Sequence, residues 1–272
     1  MIPAGKVLIT GGGGAIAGEM AQRLEARGHT LVLADIDRGR MEANAKALKA
    51  TPVMIDADLS TTAGIAALAA AIERDHADLE ILVNNAGYIE PGDAHDLAPA
   101  ILDRHLAINL AAPMQLSRAA ARVMLPRRRG HILSIVSMGG IVALRGSAAY
   151  AAAKFGLRGF QTSIRAELKP HGIGVSGVFP SGVDTPMLRY EATHNGSPLN
   201  FVGRVLTAAE VAQAAMRALD SGRLETYVPY GDSLTSRLVG AFPWLIERLL
   251  PMFERKGEAG RRRFLAQHGL DG

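Results

Sequence analysis

Apolar and polar positions alternate along this chain in blocks of two kinds. Short runs that are apolar on both faces recur at Lys6–Thr10, Thr30–Asp35, Pro52–Ala57, Leu79–Val83, His131–Val136, Gly174–Phe179 and Thr226–Pro229. Between them lie segments with helical spacing: Ala15–Arg27, Met41–Ala50, Thr62–Arg74, Ile101–Met124, Ser147–Leu168 and Ala208–Leu219. Strands without a polar face belong to parallel sheets covered on both sides. Strict strand–helix alternation predicts an α/β, doubly wound (Rossmann) parallel sheet with helices on both faces, in one domain.

No repeat, linker or low-complexity stretch divides the chain. Residues 1–232 read as a dinucleotide-binding catalytic domain, with a substrate loop at about 188–206. Asn195-Gly196-Ser197-Pro198 makes the segment Arg189–Val205 the candidate mobile loop. Residues 233–272 read as an amphipathic extension of the same domain. Leu234, Leu238, Phe242, Leu245, Leu249 and Phe253 fall near helical spacing, with breaks expected at Pro243 and Pro251. Such a stripe most simply packs on its own domain or on a neighbouring subunit. A lid over the pocket and a membrane-surface contact are the alternatives.

Composition narrows the function. The chain has 272 residues, 48% apolar and 21% charged, which suits one large globular domain. A net charge of +4 is small, and Arg127–Arg129 and Arg261–Arg263 carry no interleaved aromatics, so no nucleic-acid partner is expected. The absence of cysteine excludes disulfides, thiolate metal ligands and cysteine nucleophiles. No metal site is expected. MIPAGKVLIT runs directly into the first strand without a signal-like segment, which makes the cytoplasm the default compartment.

Candidate chemistry lies where the strands end. Thr10-Gly11-Gly12-Gly13-Gly14-Ala15-Ile16-Ala17-Gly18 joins a strand to a helix. Glycines there let the backbone turn and approach a pyrophosphate, and the helix N-terminus offers N–H groups to it. Asp35 ends the second strand, where a carboxylate accepts from ribose hydroxyls and repels a 2′-phosphate. NAD is therefore the expected cofactor, with Arg38 and Arg40 as the features that would favour NADP. Tyr150 and Lys154 share a helix face, and a nearby ammonium would lower the pKa of a phenol toward useful proton exchange. Ser137 follows the fifth strand. Pro113 lies four residues after Asn109 and lacks an N–H for its carbonyl, so a kink is expected there that leaves this carbonyl free for water.

These residues, with Asp58-Leu59-Ser60, Asn84-Asn85-Ala86-Gly87 and Pro180–Met187, appear in the order found in the short-chain dehydrogenase/reductase family. The chain resembles the compact single-domain branch of that family over about Lys6–Leu188. The resemblance implies a hydride transfer between NAD(H) and an alcohol/ketone pair. It implies Tyr150 as general acid/base, Lys154 as its tuner and a ribose ligand, Ser137 as holder of the substrate oxygen, and Asn109 as support for a proton-relay water. Cofactor contacts would come from Gly11, Gly13, Gly14, Ala15, Ile16, Asp35, Asp58, Leu59, Asn85, Ala86, Gly87, Tyr150, Lys154, Pro180, Val183 and Thr185. The resemblance also implies a homodimer or homotetramer through the helices around Ile101–Met124 and Ser147–Leu168, where Leu116, Ala119, Phe155, Phe160 and Ile164 carry apolar surface.

Ala15 and Ala17 replace two glycines of the family turn, and Ser181 replaces the glycine after Pro180. The substrate is expected to be a mostly apolar small-molecule alcohol or ketone, surrounded by Met138, Ile141, Val142, Leu144, Met187, Leu188, Tyr190 and Phe201, with Arg145, Arg189 and Glu191 the only nearby charges. A dinucleotide-binding regulator without catalysis is the alternative from another class. A sugar-nucleotide epimerase would need more chain after Pro186.

Overall fold

In the computed structural model, which describes residues 2–242 and 244–270, seven parallel strands form one sheet in the order β3-β2-β1-β4-β5-β6-β7. They are β1 (Lys6–Thr10), β2 (Thr30–Asp35), β3 (Val53–Asp56), β4 (Leu79–Asn84), β5 (Gly130–Ile135), β6 (Ile173–Pro180) and β7 (Glu225–Val228). The order reverses between β1 and β4, and a crevice opens at the carboxyl ends there, where such sheets bind ligands. Two apolar layers sandwich the sheet. One is built on Val7, Ile9, Met20, Leu24, Leu33 and Val211, the other on Leu8, Leu68, Ile72, Leu82, Leu116 and Ile132.

The helices are α1 (Ala15–Glu25), α2 (Arg38–Ala45), α3 (Thr62–Asp75), α4 (Pro99–Leu106), α5 (Ala112–Met124), α6 (Ala148–Leu168), α7 (Pro186–Thr193), α8 (Ala208–Ser221), α9 (Tyr230–Ala241) and α10 (Trp244–His268). Helix α2 starts three residues before the expected Met41, because the Asp37 carboxylate accepts from the Arg40 N–H and caps it. It also ends at Ala45, short of the expected Ala50.

The expected single helix Ile101–Met124 is divided by a π-helical turn, Ala107–Ala111. Pro113 has no N–H for the Asn109 carbonyl, and the ladder widens just before it: the Ala112 N–H reaches back five residues to the Ala107 carbonyl. The predicted disturbance is present, as a widened turn.

Two expectations for the C-terminal half are corrected. The segment Arg189–Val205 is not an irregular loop; α7 runs into it, and a 3₁₀ turn, Pro198–Phe201, follows. Pro251 does not end a helix, since α10 continues through it to His268. The break expected at Pro243 lies outside the described residues, as do the side chains of Leu245 and Glu247 and the positions 271–272 of the extension. Helix α10 packs back on its own chain, where Phe264 and Leu265 join Leu188, Ala192 and Phe201 in a buried cluster. Its Gly257 and Gly260 pass so close to the Pro198–Phe201 turn that a side chain at either would overlap the Pro198 or Phe201 carbonyl. Among the described residues, no helix is long and apolar enough to cross a membrane.

Candidate active site

The crevice holds a cleft of about 480 Å³ that runs from the glycine turn after β1 to the start of α7. At its dinucleotide end, Gly11 has φ +63°, and a Cβ there would lie 2.8 Å from the Ala86 Cα, so only glycine fits. Asn85 braces this turn: its amide nitrogen donates to the Thr10 and Gly11 carbonyls at 3.0 and 3.2 Å. The Thr10 hydroxyl accepts from the Asn85 and Ala86 N–H groups, both at 3.1 Å. Asn44 donates to the Gly12 and Gly14 carbonyls at 2.8 and 3.0 Å. Neither the Thr10 nor the Asn44 contact was anticipated; each joins elements distant in sequence, and nothing local signals it. No side chain caps α1, so its first-turn N–H groups and partial positive charge remain for an anionic ligand. Ala15 is exposed at that helix start and lines the cleft.

Asp35 sits at the tip of β2 and holds the turn: Oδ2 accepts from the Gly13 N–H at 2.9 Å and Oδ1 from the Asp37 N–H at 3.0 Å. Of the two arginines that could favour a phosphate, Arg38 pairs with Asp56 at 3.2 Å, whereas Arg40 lines the cleft beside Asp35. Asp58 also lines it, and bonds from the Ser60 hydroxyl and N–H hold its carboxyl below the usual range.

At the other end, Ser137 follows β5 with φ +129°, an unfavourable backbone for a residue with a Cβ and a mark of local strain. Its Oγ accepts from the Gly139 N–H at 3.0 Å. Tyr150 and Lys154 line the same wall from α6, as the four-residue spacing predicts. The Lys154 Nζ donates to the Ile135 carbonyl at 3.2 Å and lies 5.5 Å from the Tyr150 ring centre. Burial pushes Lys154 down to about 8. Burial also drives the Tyr150 phenol above its ordinary value, with a bond to Ser137 opposing the rise and the Glu191 charge adding to it. The expected lowering by Lys154 is thus absent: burial of the phenol dominates, and Lys154 is not among the groups that shift it.

Of the expected site residues, the cleft gathers Gly11, Gly14, Ala15, Ile16, Asp35, Asp58, Leu59, Asn85, Ala86, Gly87, Ser137, Tyr150, Lys154, Pro180, Val183 and Thr185. Gly13 does not line it, being buried against Arg40. Asn109 is fully buried behind the wall, its amide donating to the Tyr88 and His105 carbonyls at 2.8 and 3.1 Å.

Around the reacting end, Leu144, Met187, Leu188, Tyr190 and Glu191 line the cleft as expected. Met138, Ile141 and Phe201 instead lie inside apolar clusters, and Val142 is not in the wall. Tyr88 and Ile89, from the segment after β4, take their places. Arg145 and Arg189 are engaged elsewhere, with Glu254 at 3.8 Å and Asp184 at 2.9 Å.

The glycine turn at one end of this cleft and Ser137, Tyr150 and Lys154 at the other define an oxidoreductase of the NAD(P)-dependent class. Residues 5–196 match the sequence profile described as short chain dehydrogenase. Nodulation protein G of Rhizobium meliloti (strain 1021) is 31% identical over 212 residues, 77% of this chain and 86% of the relative. Among solved structures, a short-chain dehydrogenase from Sphingobium yanoikuyae in complex with NADPH superposes with a TM-score of 0.77 at 28% identity, over 89% of this chain and 95% of that one. The bulky-bulky ketone specific alcohol dehydrogenase from Comamonas testosteroni superposes with a TM-score of 0.75 at 27% identity, over 91% and 95%. The chain belongs to the short-chain dehydrogenase/reductase family. Hydride transfer with NAD(P) on alcohols and ketones is the general activity of that family.

Proposed function

We propose that this protein interconverts a mostly apolar secondary alcohol and its ketone with NAD(H), using Tyr150 as general acid/base. The observation that carries the reading is the single cleft with the glycine turn at one end and Ser137, Tyr150 and Lys154 on the wall of the other. The residues fit a dinucleotide: Gly11 to Gly14 leave no side chain in the path, and the Ser181 Oγ is buried in the wall without a protein partner, where a carboxamide would supply one. When bound, the cofactor supplies or accepts the hydride.

The protein's own task is to orient the substrate oxygen and move one proton. Ser137 holds the oxygen. Tyr150, kept protonated at neutral pH by burial, donates its proton as a ketone is reduced, and takes it back in the oxidative direction. The Lys154 ammonium is placed to stabilise the phenolate left behind and to hold ribose hydroxyls. Asn109 and the π-helical turn beside it place a carbonyl for a relay water.

Asp35 favours NAD, because among the described residues no guanidinium pairs with its carboxylate and a 2′-phosphate would face a negative charge. A homodimer or homotetramer is supported by Leu106, Met114 and Phe155, large apolar residues exposed on α4, α5 and α6. Leu116 and Ala119, which were expected to add to that face, are inside the chain's own core.

Tyr150→Phe tests the mechanism. It removes the proton donor with little change of shape, so turnover should fall by about 10²–10⁴ while NADH binding, followed by fluorescence, stays within a few-fold. A variant with wild-type rates would overturn the assignment of Tyr150.

A further inference from the structure

Glu191 is a buried carboxyl in the cleft whose chemistry the hydride-transfer reading leaves unused. It sits on α7 at 5% exposure, facing the same cleft as Tyr150, and its charge is felt at the Tyr150 phenol. The chain goes to some length to enclose it. Asn195 takes a left-handed turn at φ +57°, and the Gly196 N–H then donates to the Glu191 carbonyl at 2.7 Å. A Cβ on Gly196 would meet the Glu191 Cβ at 2.5 Å, so the turn closes on this side chain only with glycine there. The following 3₁₀ turn brings in Asn200, whose amide donates to Glu191 Oε2 at 2.9 Å. Asn200 is itself fixed, since its carbonyl packs where a side chain on Gly182 would be. Helix α10 presses on this turn from behind through Phe264 and Leu265.

One amide is a poor set of partners for a buried carboxyl. Among the described residues, Asn200 is the one side chain bonded to the Glu191 carboxyl, no cation pairs with it, and Oε1, which no protein group bonds, is not sealed off from the cleft. Burial accordingly pushes its carboxyl up to about 7. A group bound so, half-satisfied and facing the cleft, is suited to recognise a ligand donor, because a buried polar group rejects a ligand that leaves it unpaired.

We propose that Glu191, oriented by Asn200, binds a hydroxyl group that the substrate carries a few bonds from its reacting carbon, so that the preferred substrates are hydroxyketones and the corresponding diols rather than simple ketones. The inference rests on the alcohol/ketone reading above and adds the second polar group. The surroundings agree: Leu144, Met187, Leu188 and Ile89, with the Tyr88 and Tyr190 rings, make most of the wall at this end apolar, and the Arg104 guanidinium is stacked on the Tyr88 ring.

The test is steady-state reduction of cyclohexanone and of 2-, 3- and 4-hydroxycyclohexanone by the wild type, Glu191→Gln and Glu191→Leu. Wild type should show kcat/KM at least tenfold higher for one hydroxyketone than for cyclohexanone, with the difference mainly in KM. Glu191→Leu should bring that ratio to about one, and Glu191→Gln, which keeps an amide able to bond a hydroxyl, should restore most of it. Equal kcat/KM for all four ketones in the wild type overturns the proposal without need of a variant. So does a ratio that survives in Glu191→Leu, or one that Glu191→Gln lowers as far as Leu does, the mark of a purely structural role. Reduction of none of the four ketones refutes the hydride-transfer reading itself, and the substrate inference with it.

Discussion

Asp35→Asn separates two duties that the structure places on one side chain. Both carboxylate oxygens accept N–H bonds, Oδ2 from Gly13 and Oδ1 from Asp37. Asparagine offers one oxygen. Gly13 is buried, so the oxygen will stay with it, and the amide nitrogen will face the exposed Asp37 N–H, which water can serve. An unpaired donor costs ~1–3 kcal/mol, and the partly wet site puts the loss at the low end. For a chain of this size ~1 kcal/mol lowers Tm by about 2–4 °C.

The charge effect is separate. A carboxylate ~5 Å from one unit of phosphate charge is repelled by roughly 3 kcal/mol at an effective dielectric of ~20, and partial exposure takes that to about 1.5–3. Removing the charge should therefore shift the NAD:NADP ratio of kcat/KM toward NADP by about 10- to 100-fold, helped by Arg40, which already lines the cleft there. The assay is kcat/KM with each cofactor at one ionic strength, beside a thermal melt without cofactor. A lowered Tm with a ratio unchanged within about threefold would show that Asp35 only braces the turn, and the NAD assignment would lose its basis.

Three further outcomes are expected. With its value at about 8 in the folded chain against an ordinary 10.5, Lys154 loses its proton as pH rises through about 8, so NADH affinity by fluorescence titration should fall there in the wild type and stay flat in Lys154→Met. The sign for stability is opposite: between about 8 and 10.5 the unfolded chain binds the extra proton, so this group adds stability as pH rises across that window. Phe201→Ala, at a 2% exposed site against Phe264, should cost ~3–5 kcal/mol and show as a lower denaturation midpoint together with earlier proteolysis of α10. Light scattering should show the wild type as the proposed oligomer and Phe155→Arg as a monomer; an unchanged mass in the variant would move the interface away from α6.

What was legible in the sequence follows from the range of the interactions involved. The inner strands are runs buried on both faces, which marks them, so β1 and β2 fall at their expected limits, whereas the edge strands β3 and β7 are only partly covered. The wall of Ser137, Tyr150 and Lys154 could be read because strand end and helix spacing are local. Pro113 announced a disturbed helix for the same reason, although the choice of a π turn over a kink depends on packing around Asn109. The start of α2 is less legible, because Met41 is the one buried residue of that helix and the Asp37 cap lies outside any apolar period. Asn44 and Thr10 bind the glycine turn across 30 or more residues of chain, and no spacing rule points to them.

The substrate end was the least legible part, and the reason bears on specificity. Met138, Ile141 and Phe201 looked like pocket walls from their place in the sequence, yet each turns into a core. Met138 and Ile141 pack with Leu157 and Phe179, whereas for Phe201 the deciding element is α10, about sixty residues further on. Its small residues Gly257 and Gly260 let it lie against the Pro198–Phe201 turn, and Phe264 and Leu265 then draw Phe201 inward. With Phe201 held inside, its neighbour Asn200 is left on the cleft side, in reach of Glu191. The same contact therefore buries an aromatic and presents an amide. A substitution that loosens α10, Gly257→Val for instance, should disturb substrate selection before it disturbs cofactor binding, because among the described residues no member of that cluster comes from the glycine turn or α1. Equal losses of cofactor affinity and of substrate KM in that variant would show that the two ends of the cleft are not held independently.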